Sequence, residues 1–126
     1  MFREFLQEFS REYIPREVKR ELKTRRIDQL DGKTPLDLLI EFLEGVGREN
    51  LEFAVKSGIT LWDMIPAEFR GLAQDNNSRI SNILRSFPED LVGKGTYEAI
   101  REERPELAEI ITPEWLAEAF RKYKHS

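Results

Sequence analysis

Cysteine is absent from this chain of 126 residues. Disulfides, thiolate metal sites and thiol nucleophiles are therefore excluded. Histidine occurs once, at His125, second from the end. A Ser-His-Asp triad or a multi-histidine metal centre has no material to be built from. Long apolar runs are missing too. No stretch reaches the roughly 18 uncharged apolar residues of a membrane-spanning helix. The opening segment, Met1 to Phe9, carries charges every few residues and lacks the apolar core of a signal peptide. Sustained alternation of apolar and polar residues is also lacking, so no sheet is expected. A cytoplasmic protein that does not enter membranes is the expectation, and the missing cysteines fit a reducing compartment.

What is present points to a folded helical chain. Apolar residues make up 40% and charged ones 35%, too apolar for a disordered chain and too charged for a membrane protein. A chain of this mass should fold to a surface of about 7,000 Å², against about 21,600 Å² extended, which leaves room for a core without metals or staples. Glutamate is the commonest charged residue, and Glu over Asp tilts the composition towards a thermophile, though any helix-rich chain shares that bias. Net charge is −4, unevenly spread. Residues 1–26 hold eight basic and five acidic side chains, a surplus of three positive charges in an otherwise acidic protein. That balance argues against wholesale coating of nucleic acid but permits a local anionic contact.

The apolar spacing predicts a chain of short helices. Phe2, Phe5, Leu6, Phe9 and Tyr13 form one stripe, which Pro15 should kink or restart, and Val18 and Leu22 continue it to about Arg25. Asp31-Gly32 reads as a turn. Thr34-Pro35-Leu36-Asp37 opens a helix with a capping residue, a proline where no amide partner is needed and an acid at the positive end. Leu36, Leu39, Ile40 and Leu43, widened by Leu38 and Phe42, mark this helix as the expected central one, ended by Gly45 and Gly47. A short helix from Arg48 to Ser57 turns Leu51, Ala54 and Val55 inward, with Gly58 as its cap. Thr60-Leu61-Trp62-Asp63 repeats the capping pattern. Pro66 restarts a segment carrying Phe69, Leu72 and Ala73, and 75–78 is a polar break. Ile80, Ile83, Leu84 and Phe87 form another stripe, and Pro88 opens a turn with Leu91 and Val92. Gly93-Lys94-Gly95 is expected as a loop, with Thr96 capping the helix that follows. Pro105 breaks or restarts that helix, and Thr112-Pro113-Glu114 starts the last one, with Trp115, Leu116, Ala119, Phe120 and Tyr123 on one side. The expectation is an all-α, compact single-domain irregular bundle of about eight short helices over residues 1–126.

Residues 4–13 and 114–123 align with five of ten positions identical. Repeat architectures of fixed period need at least three units, which are not present.

Candidate chemistry fails on spacing. With Gly32 at the sixth position of a calcium loop, Ile27, Gln29 and Leu38 fall where acidic ligands belong, and only Asp31 fits. In Val92-Gly93-Lys94-Gly95-Thr96 a second glycine separates the lysine from the threonine, and no strand precedes, so a Walker A loop is not formed. Glu102-Glu103 and Glu106 with Glu109 read as a solvated acidic face, since adjacent helical residues point apart. His125 is expected exposed and idle. No catalytic set and no cofactor or metal site is expected.

Two features remain. Arg16, Lys19, Arg20, Lys23, Arg25 and Arg26 lie within eleven residues. On a helix, Arg16, Lys19, Arg20 and Lys23 share one face, leaving a basic strip while Val18 and Leu22 pack down. Trp62, beside adaptable Met64, is either a core wedge or an interface aromatic. The expected function is a non-catalytic protein-interaction or adaptor module, with an unidentified protein partner or self-association. The alternative is a small helical subunit of a nucleoprotein complex, its basic segment 16–26 on the nucleic-acid backbone and helped by Arg121, Lys122 and Lys124.

Overall fold

The computed structural model describes residues 2–26, 31–67, 70 and 79–125, with side chains at 11–26, 31–67, 70 and 81–125. Eight helices occur among the described residues: α1 (Phe2–Thr24), α2 (Pro35–Val46), α3 (Arg48–Ser57), α4 (Leu61–Met64), α5 (Arg79–Ser86), α6 (Glu89–Glu103), α7 (Pro105–Ala108) and α8 (Pro113–Lys124). These residues contain no strand, and the fold is all-α. None of the helices is long and apolar enough to cross a membrane. The expected stripe positions Phe2, Phe5, Leu6, Phe9 and Ile80 lie outside the described side chains, and Phe69, Leu72, Ala73 and 75–78 lie outside the described residues.

Local chemistry starts α2, α4 and α8 and stops α3 where the sequence predicts. The Thr34 hydroxyl accepts from the Asp37 amide at 3.2 Å, and the Asp37 carboxylate accepts from the Thr34 amide at 3.0 Å. Two otherwise orphaned donors are satisfied reciprocally. That hydrogen bonding, led by the Thr34 amide, holds the Asp37 carboxyl below its ordinary range. Thr60 and Asp63 repeat the device ahead of α4 at 3.1 and 3.3 Å. Thr112 accepts from the Trp115 amide at 3.0 Å and Pro113 takes the first helical position. Gly58 closes α3 at φ 73°, ψ 17°, a left-handed conformation that costs glycine nothing.

One hydrophobic cluster unites the helices. Ile14, Val18 and Leu22 of α1 join Leu36, Ile40 and Leu43 of α2, Leu51 of α3, Trp62 of α4, Ile100 of α6 and Leu116 of α8. The centre is α6, packed most extensively against α8 and α1. This corrects the expectation that residues 35–46 would be central. Helix α2 is apolar, but its Leu38, Leu39 and Phe42 remain half-buried. Helix α6 buries Leu91, Val92, Gly93, Gly95, Thr96, Ala99 and Ile100, and its Gly93, Gly95 and Ala99 admit neighbours closely.

A second correction concerns Gly93-Lys94-Gly95, which is helix and not loop. A Cβ at Gly93 would lie 2.7 Å from the Pro113 carbonyl oxygen and 2.8 Å from the Ala117 amide nitrogen. At Gly95 it would lie 2.6 Å from the Pro15 carbonyl oxygen. The two glycines sit about 200° apart on the helix, so α8 and α1 press on α6 from opposite sides at nearly one level. Thr96 is consequently mid-helix, its hydroxyl donating to the Val92 carbonyl at 2.9 Å, and not a cap.

Helix α1 does not restart at Pro15: it runs through the proline as one helix. From Ile14 onward its buried side chains include Ile14, Glu17, Val18, Glu21 and Leu22, one residue round from the stripe that Tyr13 was expected to carry. Tyr13, expected inward, is 49% exposed.

Candidate interaction surface

The basic segment is where charge gathers, and the fold partners most of it internally. Lys19 donates to Oε1 of Glu102 on α6 at 2.9 Å, and Lys23 donates to Oε2 of the same carboxylate. Hydrogen bonds from Lys23 and then Lys19 push the Glu102 carboxyl down to about 2. Arg20 grips both oxygens of Glu17 at 2.7 and 2.8 Å and lies 3.9 Å from Glu21. It thus offsets two carboxylates that occupy the buried stripe of α1. Arg16 is 4.0 Å from Glu12, both well exposed. Arg25 and Arg26 lie beyond the helix end, and Arg26 donates to the Gly32 carbonyl at 2.9 Å. The Arg25 guanidinium has no partner among the described residues. The predicted common face therefore exists, but it is a ladder of ion pairs and not a free strip.

The later cations are similarly engaged. Lys122 donates to Asp63 at 2.6 Å, and this contact, with the Thr60 amide, holds the Asp63 carboxyl below its usual range. Arg121 pairs with Glu118, and Lys124 donates to the Phe87 carbonyl at 2.6 Å. Lys122 and Lys124 brace α8 against α4 and the α5–α6 junction, while the Arg121 pair stays within α8.

Trp62 is a core wedge. Only 8% of it is exposed, and its ring meets Tyr123 edge-on with centroids 5.2 Å apart. Arg70 covers the ring at 5.4 Å. The interface role for Trp62 is corrected on that ground: the chain's own α8 covers it. The Tyr123 hydroxyl is hydrogen-bonded to Ser81 at 2.9 Å and accepts from Arg85 at 3.0 Å, fixing α5 to α8.

Exposed large apolar side chains lie elsewhere. Among the described residues they are Tyr13, Phe53 and Ile59. Tyr13 lines an open cleft of about 240 Å³ between α1 and α5, with Glu17, Asn82, Ile83, Ser86 and Phe87. Phe53 is 64% exposed at the middle of α3, and Ile59 follows just beyond the Gly58 cap. The inward set Leu51, Ala54 and Val55 already implied an outward Phe53, because residue 53 falls on the opposite side of the helix. What the spacing lacked was any sign that no other element would cover it.

Comparison with protein-family models, curated proteins and solved structures finds no match to this chain.

Proposed function

We propose that this chain is a non-catalytic helical interaction module that meets a protein partner through apolar and mixed-charge surface, in the cytoplasm. The observation that carries this is Phe53, a large aromatic held outward, 64% exposed, at the middle of a helix closed by a left-handed Gly58. Aromatic side chains bring large contact area at low entropic cost and dominate binding energy where they enter a partner's pocket. The pairing of Lys19, Arg20 and Lys23 with glutamates supports a protein partner over a polyanion. Phosphates would have to displace those carboxylates before releasing any counterions.

A photo-crosslinking residue placed at position 53, with position 94 as an exposed control on α6, tests the proposal in cells that make the protein. Adducts of defined mass at 53 and not at 94 are expected. Equal labelling at both positions, or none at 53, would overturn it. Titration with duplex DNA and single-stranded RNA over a salt series should show no binding that a variant with Ala at 16, 19, 20 and 23 loses. Salt-sensitive binding abolished by that variant would put the nucleoprotein reading in its place.

A further inference from the structure

We infer that the occupant of the exposed α3 face is a second copy of this chain, packed antiparallel about Phe53; this rests on the interaction-module proposal and names its partner.

The face is self-complementary. At 100° and 1.5 Å per residue, Glu49 lies about 40° to one side of Phe53 and about 6 Å before it. Lys56 lies about 60° to the same side and about 4.5 Å after it. A two-fold axis that reverses the helix direction keeps each flank facing its own copy. Glu49 then stands opposite Lys56 of the second copy with an axial offset of about 1.5 Å, and symmetry makes the pair twice. On the other flank Asn50 stands opposite Ser57 in the same way. A parallel two-fold pairing would instead set Glu49 opposite Asn50 and Lys56 opposite Ser57, and neither charge would meet an opposite one. Among the described residues neither charge is engaged: Glu49 and Lys56 are exposed and have no side-chain hydrogen bond or ion pair there. The neighbouring pair is different, since Arg48 and Glu52 hold each other at 3.1 Å further round the same side of the helix. Buried Leu51 and Ala54 point away from the proposed contact, so nothing in the core must move.

The contact is small. Ten residues of helix span about 15 Å, so the face falls well short of the roughly 800 Å² per partner of a standard interface. Association is accordingly weak and reversible, with a Kd of about 0.1–1 mM.

Sedimentation equilibrium of the full chain from about 20 μM to about 2 mM covers that range. The average mass of the unaltered chain should climb from 14.9 kDa towards twice that value. Phe53→Ser should stay monomeric with an unchanged far-ultraviolet circular dichroism spectrum, because the residue is exposed. Glu49→Lys alone or Lys56→Glu alone should weaken association by about three- to tenfold, each change acting twice. The double reversal should recover the original constant to within about twofold, because both pairs are re-formed with opposite sense. A constant monomer mass throughout, a Phe53→Ser dimer as tight as the original, or a double reversal no better than the singles would overturn the inference. A chain that stays monomeric while a crosslinker at position 53 captures a different protein removes the second copy and leaves the interaction module standing.

Discussion

Replacing Gly95 by alanine should destabilise this protein, although alanine is the better helix former. In an exposed helix the exchange gains about 1 kcal/mol. Here the new Cβ would sit 2.6 Å from the Pro15 carbonyl oxygen and 3.0 Å from both the Pro15 Cα and the Val18 Cβ. Two of those three atoms are backbone, so no rotamer change relieves the clash. Helix α1 must retreat by about 0.7–1 Å to restore ordinary contact, and overpacking of this kind costs about 1–3 kcal/mol and loosens contacts nearby. The net expectation for Gly95→Ala is a loss of about 1–2 kcal/mol. Gly93→Ala meets the Pro113 and Ala117 backbone at 2.7 and 2.8 Å and should lose a similar amount. Gly45, inside α2, is the internal control, because a Cβ there meets nothing within 4 Å. Gly45→Ala should gain up to about 1 kcal/mol. Urea unfolding followed by circular dichroism reads all three, and the slope m should not change. Thermal midpoints should move in the same directions, by about 3–6 °C per kcal/mol. If Gly93→Ala and Gly95→Ala stabilise the chain as Gly45→Ala does, the close helix approach at α6 is refuted.

Glu102→Gln should lower stability at pH 7 by about 0.5–1.5 kcal/mol, a figure discounted for solvent screening because the carboxylate is partly exposed. Its folded value of about 2 lies below the ordinary 4.5. The stabilisation is therefore fully present above about pH 4.5 and is lost as pH falls towards 2, so the variant and the original should converge in acid; a stability gap that does not narrow would contradict the clamp. Thr60→Ala should cost about 1 kcal/mol by removing a helix cap, and Thr60→Ser should restore most of it, both read from urea midpoints. Trp62→Ala should cost about 3–5 kcal/mol in the same assay, as expected of a buried aromatic. An unchanged midpoint would show that Trp62 is not a core wedge.

The elements legible from sequence are those whose cause lies within four residues. Thr34, Thr60 and Thr112 carry their capping partners three positions on, and Gly58 ends α3 by its own backbone freedom. What was not legible depends on distant neighbours. Two glycines around a lysine look alike whether they supply loop freedom or let helices approach, and only the Pro15 and Pro113 backbones decide between the two. The basic face of α1 was placed correctly in angle, yet its neutralisation by Glu102 joins residues 79 and 83 positions apart. Glu17 and Glu21 interrupt the buried stripe of α1, so the shift of that stripe away from Tyr13 has no apolar signature.

The seat of α1 on α6 has a consequence in time. Lys19 and Glu102 are separated by 83 positions, and at about 5–20 residues per second a ribosome needs roughly 4–17 s to add that length of chain. Throughout that interval Ile14, Val18 and Leu22 have been made but their central neighbour has not. Local helix formation is far faster than this, so α1 waits as an amphipathic helix with its apolar side open to water. The nascent chain is therefore most vulnerable to chaperone capture or aggregation along residues 14–22, and closes its core only when residues 89–124 emerge to grip one another and draw that helix in.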